Sequence, residues 1–246
     1  MRSAIFAAGL SLLVLPHAAR GHEFMVLPVS ADAPSRGMAS VDLTMTETWI
    51  QADRVPPQDM VALERVDEEG RVAVPFSPVA KALRATVSVS GKPFLMAGRM
   101  RRDRLETPRS SKEDERPEAR MTRSETFSKV YVDLTEKSNL WSQPVGTRLE
   151  IVPLANPALL KQGNIFAVQI LFEGVPVASR VQAAFDGKGA EGHGFAVRTE
   201  SGADGVARIA LTRPGRWLIR ARHSLDEARD GYVHYAGSAN LVFEVE

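Results

Sequence analysis

The chain has 246 residues, with 31 Lys and Arg against 30 Asp and Glu, and it contains no cysteine. This balance gives no indication of a nucleic-acid partner, which would require a clustered basic surface. The lack of thiols excludes disulfides, thiolate metal sites and a cysteine nucleophile.

The first segment, residues 1–21, has the three-part layout of a secretory signal peptide. Arg2 gives a basic start, AIFAAGLSLLVL is an apolar run, and small residues precede a cleavage point after Gly21. The run is shorter than the roughly 20 apolar residues that span a bilayer, so we expect cleavage and not an integral membrane protein. The mature chain would begin at His22, and the loss of Arg2 and Arg20 would leave 29 basic and 30 acidic residues. An exported chain without cysteine favours a periplasmic location.

The first half, residues 22–146, contains short apolar and alternating segments but no long helical apolar stripe. Candidate strands are FMVLPVS, ASVDLTMTETW, RVAVPF, LRATVSVSG and TFSKVYVDLT. These segments predict a β-sandwich-like domain. Residues 99–126 carry dense mixed charge and almost no apolar residue, so we expect a solvated, partly disordered insertion. A docking loop for a partner is the alternative for this stretch.

The second half, residues 147–246, follows a boundary near SQPVG, where Pro144 and Gly146 precede a new series of strands. Seven segments are strand candidates: RLEIVPL, NIFAVQILF, VASRVQAAF, GFAVRTE, VARIALT, RWLIRARH and NLVFEVE. Glycine, proline and aspartate between them supply turn residues. Seven short strands in this length predict an immunoglobulin-like sandwich. The expected fold class is therefore all-β, with two β-sandwich domains after a cleaved signal peptide.

Motifs of catalysis are missing from the sequence. There is no Gly-x-Ser-x-Gly elbow, no phosphate-binding glycine loop and no His-Glu-x-x-His helix, so we assign no catalytic residue and expect a protein that is not an enzyme. The most informative residue is His22. At a mature N-terminus its α-amino group and ring Nδ1 form a chelate, and the amine pKa near ~7.7 to 8.0 makes its proton easy to displace. A histidine at this position by chance is the alternative.

Three further histidines are candidate metal ligands, and imidazole nitrogens suit copper, nickel, zinc or cobalt. His223 ends the segment RWLIRARH on the face of Trp217, Ile219 and Ala221, which we expect to be the core face. Two interpretations of His223 remain open: a core histidine whose hydrogen bonds are satisfied within the protein, or a second metal ligand that faces His22. His234 follows a ten-residue segment expected to be a loop, and a hairpin would bring both imidazoles to one rim. His193, in EGHGF, is also a candidate, although a turn histidine is the alternative.

The sequence resembles the NikM-like exported family of unknown function, which is associated with nickel and cobalt uptake. The matching segments are GHEFMVLP after the leader, LEIVPLANPALLKQGNIFAVQILFEGVPVASRVQAAF, GVARIALTRPGRWLIRARH and ANLVFEVE. The chain departs from the family at Glu23, where aspartate is common, and at Met25, where tryptophan is usual. The resemblance implies periplasmic metal handling coupled to uptake, with His22 and His223 as metal-binding candidates.

We therefore expect a periplasmic protein that binds nickel or cobalt, with copper or zinc as other candidates, and that assists an envelope metal-uptake system. The candidate ligands are His22, His223, His234 and His193. Two alternatives come from other classes. A copper enzyme would use His22 as a histidine brace and would need an exposed substrate face. A non-metal envelope module would instead bind a protein or carbohydrate partner.

Overall fold

The computed structural model describes residues 23–30, 37–46, 50–107, 118–186 and 195–246. The strands of the first half are β1 Glu23–Pro28, β2 Gly37–Thr46, β3 Val61–Asp67, β4 Gly70–Ala73, β5 Ser77–Pro78, β6 Leu83–Val89, β7 Phe94–Glu106 and β8 Arg120–Val132. The strands of the second half are β9 Leu149–Pro153, β10 Ile165–Phe172, β11 Val175–Pro176, β12 Arg180–Phe185, β13 Val197–Glu200, β14 Val206–Ala210, β15 Gly215–Arg229 and β16 Tyr232–Val245. Short 3₁₀ turns occur at Gln58–Met60, Leu140–Ser142 and Pro157–Leu159.

A central eight-stranded sheet runs through both halves of the chain, in the order β13-β12-β15-β16-β8-β7-β3-β4. The two halves meet where β16 pairs with β8, in a parallel register that joins His234 to Thr122 and Val242 to Val130. The neighbouring pairs β15 with β16 and β7 with β8 are antiparallel. The second half therefore extends the sheet of the first half.

Two smaller sheets cover opposite faces of the central sheet. On the first face, even-numbered residues such as Met96, Val130 and Val242 pack in one core with the sheet β1-β2-β6-β5. On the second face, odd-numbered residues such as Phe127 and Leu241 pack in another core with β9, β10 and β14. Because successive side chains of a strand point to opposite faces, the same strands serve both cores.

This architecture confirms the prediction of an all-β chain with two β-sandwiches. All seven strands predicted in the second half are present, as β9, β10, β12, β13, β14, β15 and β16. No helix in the described ranges has the length and apolarity needed to cross a membrane. The segment at the predicted boundary near Gly146 is attached to the central sheet through Glu150. This carboxylate accepts hydrogen bonds from the backbone N–H groups of Val145 and Gly146 and pairs with the buried Lys129 of β8 at 2.8 Å.

The prediction of a charged loop at residues 99–126 is wrong for most of that segment. Residues 99–106 and 120–126 belong to β7 and β8, which are 13 residues long each, while residues 108–117 lie outside the described part of the chain. The register places opposite charges beside each other, as with Asp103 and Arg123, which form two hydrogen bonds of 2.8 Å. Such cross-strand pairs stabilise a strand that has few apolar side chains. Strands β3 and β7 had not been predicted.

Gly98 in β7 allows β1 to approach the central sheet closely. A Cβ atom added at Gly98 would lie 2.4 Å from Cγ2 of Val26, a fully buried side chain. Glycine normally weakens a strand, so its presence here has a packing reason.

We expect the Gly98→Ala variant to lose about 1–3 kcal/mol of unfolding free energy, because the new methyl group overpacks the core against Val26. Combining it with Val26→Ala should restore room, so the double variant should lose less than the sum of the two single losses. Urea denaturation of the four proteins measures this coupling. Additive losses would show that the contact does not limit packing here.

Candidate functional site

Glu23 at the start of β1 is an acid buried at the first face of the central sheet, with 4% of its surface exposed. Its Oε2 accepts hydrogen bonds of 2.9 Å from Arg220 and from Arg222. Its Oε1 accepts a hydrogen bond from the hydroxyl of Ser238, and the amide of Asn240 lies at 3.5 Å. The partners come from β15 and β16, so one carboxylate links the N-terminal strand to the C-terminal hairpin.

The charges of this cluster compensate each other. Burial by itself would raise the pKa of Glu23, but Arg220, Arg222 and the hydrogen bond from Ser238 outweigh burial and hold the pKa below its ordinary value of 4.5. Burial also lowers the pKa of Arg220 to about 10, against the opposing effect of Glu23. Glu23 and Arg220 therefore form a charged pair at neutral pH.

Backbone contacts hold the same end of β1 in place. The Asn240 amide donates a 2.9 Å hydrogen bond to the carbonyl of Phe24, and the Val26 N–H donates a 2.9 Å bond to the hydroxyl of Ser128. Ser128 and Asn240 are paired across β8 and β16. The segment that begins at Glu23 is thus fixed by side chains on three strands of the central sheet.

Beyond Glu23, the first face is open and forms a cleft that we call the basic cleft. Its lining includes Glu23, small residues of β8, β15 and β16, and basic side chains at its rim. The basic residues of its lining are Arg54, Arg102, Arg104, Arg180, Arg222, His223 and His234, and the lining also includes the acids Glu125 and Glu200. Glu23 therefore lies at the border between the packed core and a solvent-filled cleft.

His234 lines the basic cleft, and the carboxylate of Asp226 orients its imidazole ring. Its Nδ1 lies 2.6 Å from Oδ1 of Asp226, which also accepts a 2.9 Å hydrogen bond from Arg120. The pKa of Asp226 is lowered, mainly by its hydrogen bond to His234 and further by Arg120. A carboxylate bound to one ring nitrogen leaves the other nitrogen available to a ligand, as in many metal sites.

His223 faces the other side of the sheet. As predicted, it shares a face with Trp217, Ile219 and Ala221, and its ring contacts Phe172 with centroids 4.7 Å apart. Burial lowers its pKa below the ordinary 6.5. The imidazole is therefore held as a largely neutral ring beside a core.

The expected hairpin between His223 and His234 is present, but it does not bring their rings together. His223 pairs with Gly237, and His234 pairs with Asp226, so the two histidines have opposite parity and lie on opposite faces. The expected ten-residue loop is also wrong, because β15 continues to Arg229 and the turn is only the Asp-Gly pair at 230–231. Both turn residues have positive φ, at 48° and 82°, as a type I′ turn requires.

The other two predicted ligands, His22 and His193, lie outside the described residues. Within residues 23–30, 37–46, 50–107, 118–186 and 195–246, no group of three or more His, Asp or Glu side chains is placed to hold a metal ion.

Sequence reasoning did not find the cluster of Glu23 with Arg220 and Arg222. The available signal was a charged residue inside an otherwise apolar strand at both places, in EFMVLP and in WLIRAR. Such residues are buried only when they are paired. The sequence does not show which acid meets which arginine, since Glu23 and Arg220 are 197 positions apart.

Comparison with known families adds a classification. The sequence matches the family model described as Domain of unknown function (DUF4198) over residues 19–225. The chain belongs to the DUF4198 family. The matched DUF4198 region extends from before Glu23 into β15, so it includes the buried acid and Arg220 and Arg222.

No curated protein matches this DUF4198 chain. Among solved structures, the D0-D1 domain of Intimin is similar at 13% sequence identity, covering 90% of this chain and 97% of that one, with a TM-score of 0.24. A similarity of this size carries no conclusion about function.

Replacement of the buried acid tests the cluster. We expect Glu23→Gln to lower the unfolding free energy by about 3–5 kcal/mol, because it leaves Arg220 buried without a counter-charge. Glu69→Gln is the control, since its pair with Lys92 has side chains 77% and 73% exposed and should contribute little to stability. Chemical denaturation measures both losses. Equal losses would contradict a structural role for the pair.

The pH dependence of stability tests the environment of His223. Because burial lowers its pKa in the folded state, the unfolded chain binds the proton more readily below pH 6.5. Stability should therefore fall as pH decreases from 7 through 6.5 towards the lowered pKa. In His223→Phe, which keeps a ring against Phe172, this part of the loss should disappear. Urea denaturation between pH 7.5 and 5 compares the two proteins, and parallel curves would contradict the assignment.

Proposed function

We propose that this DUF4198 protein binds a divalent transition metal of the nickel or cobalt class at its mature N-terminus. The observation that carries the proposal is the fixed position of Glu23 at the edge of the basic cleft. His22 precedes Glu23 directly in the sequence, so a chain cleaved after Gly21 would present its amine and imidazole beside an anchored residue. A chelate that is preorganised in this way loses less entropy on binding than one on a free terminus.

His234 is the second ligand that we propose. It lies on the same face of the central sheet as Ser238, the residue that bonds Glu23, and four positions from it, roughly 13 Å along the strand. Two facing histidine side chains with a metal ion between them can bridge such a distance. The contact with Asp226 would fix the orientation of the ring, which is a usual role of a carboxylate behind a metal-bound histidine.

We do not propose His223 as a metal ligand, although the sequence made it a candidate. Its ring packs with Phe172 on the face opposite Glu23, so we assign it to the core of the second sandwich. His193 is not needed by the proposed site. The metal would thus be bound by His22, with His234 and solvent completing its coordination.

The biological role that we propose follows from the resemblance to the NikM-like family. After export and cleavage, the protein would hold nickel or cobalt in the periplasm and assist an envelope uptake system. The proposal includes no catalysis. A metal carrier needs ligands that can be released, and histidine and amine nitrogens lose the metal on protonation.

The test is metal titration of the protein that begins at His22, verified by intact mass. We expect Ni²⁺ or Co²⁺ binding that weakens more than about 100-fold when one residue is added before His22 or when His234 is replaced by alanine. Asp226→Asn should weaken binding about 10–100-fold, because it removes the orienting carboxylate. His223→Ala and His193→Ala should change the affinity little. Titration calorimetry with circular dichroism as a folding control measures this order.

Two results would redirect the assignment. Equal affinity with and without the added residue would remove the N-terminal chelate and favour a non-metal envelope module. Tight Cu²⁺ binding with oxidative turnover would favour the histidine-brace enzyme, which uses the same chelate.

A further inference from the structure

Three arginines of the basic cleft are not held in ion pairs within the described part of the chain. Arg54, Arg102 and Arg180 line the cleft and form no ion pair with any residue of the described ranges. Arg54 and Arg180 are exposed, and Arg102 is partly exposed. The backbone of Arg54 is held by a bridge to Met45, so its position at the rim is fixed.

Strand register places small side chains between these arginines. In one row across the sheet, Arg180 is followed by Arg222, Ser238 and Thr126. In the next row, Ser224, Ala236 and Ser124 lead to Arg102. The floor of the cleft is therefore flat and offers hydroxyl groups, while its ends carry guanidinium groups.

The acids near the cleft offset only part of this charge. Glu23 is already paired with Arg220 and Arg222. Glu125 lies at an odd position of β8 and points to the second face, whereas Glu200 of the edge strand β13 is the register partner of Arg180 and lines the cleft beside it. A cleft lined mainly by one sign of charge attracts ligands of the opposite sign.

We propose that the basic cleft binds a small multivalent oxyanion, a ligand with two or more carboxylate or phosphate groups. The guanidinium fork matches the oxygens of both groups, and the hydroxyl floor can donate further hydrogen bonds. Arg180 and Arg102 stand on strands that are four steps apart, roughly 19 Å between backbones. Because arginine side chains are long and can lean inward, a ligand with two or more anionic groups can contact guanidinium groups from more than one strand, whereas a single carboxylate contacts one end.

This inference concerns the same cleft as the proposed metal site, but it rests on other side chains, Arg54, Arg102 and Arg180, and needs no metal. The protein would be passed over a chelating resin and titrated at low ionic strength with citrate, with pyrophosphate and with acetate. We expect citrate or pyrophosphate to bind and acetate at the same concentration not to bind. Stronger binding of citrate identifies a polycarboxylate ligand, and stronger binding of pyrophosphate identifies a phosphate ligand.

Arginine variants locate the binding. Each of Arg54→Gln, Arg102→Gln and Arg180→Gln should weaken binding about tenfold, since each removes a charge-assisted hydrogen bond. Arg208→Gln, an exposed arginine on β14 outside the cleft, is the matched control and should leave the affinity unchanged. All four positions are at the surface, so the variants should keep their stability. Failure of both polyanions to bind, or an equal effect of Arg208→Gln, would overturn the proposal.

Discussion

The parallel pairing of β8 with β16 is the interaction on which the rest of this structure depends. It joins strands from the two halves of the chain over nine paired positions, from His234 with Thr122 to Val242 with Val130. Without it, each half would expose the edge of a long strand, and unpaired edges invite association with other chains. With it, each half completes the sheet of the other, and both faces of that sheet become available for packing.

The two-residue period of a strand then determines where chemistry can occur. On the first face, the even-numbered side chains of β15 and β16 change character along the hairpin. Leu218 and Val242 belong to the core, the next pair, Arg220 and Asn240, is polar, and the pairs closer to the turn lie in the open cleft. Glu23 occupies the polar step between core and cleft. The buried pair of Glu23 and Arg220 costs desolvation energy, and a hydrophobic pair would often be as stable. What the pair provides is a polar link between the first strand and the last hairpin, through Arg220, Arg222 and Ser238.

The sequence predicted the second sandwich well because its strands are short, apolar and separated by turn residues. It predicted the first half less well, since β7 and β8 continue into dense charge where apolar periodicity is lost. The stabilising pattern there is between strands, as with Asp103 beside Arg123, and such pairs are visible only once the register is known. The face of His223 was predicted correctly from Trp217, Ile219 and Ala221. The relation of His223 to His234 was not, because one position in the turn decides whether two hairpin residues share a face.

The same dependence on register explains why the basic cleft was invisible in a nearly neutral sequence. Arg54, Arg102 and Arg180 come from distant parts of the chain, and no short stretch of the sequence brings them together. In the sheet, Glu125 lies on the other face and Glu23 is paired with Arg220 and Arg222, so neither of these acids neutralises the three arginines. The net charge of the chain therefore does not reveal the cleft, because the alternation of side chains along each strand separates acidic and basic residues between the two faces of the sheet. The three arginines lie at the open end of the first face. Glu23, the residue that follows His22, lies where this open end meets the packed core.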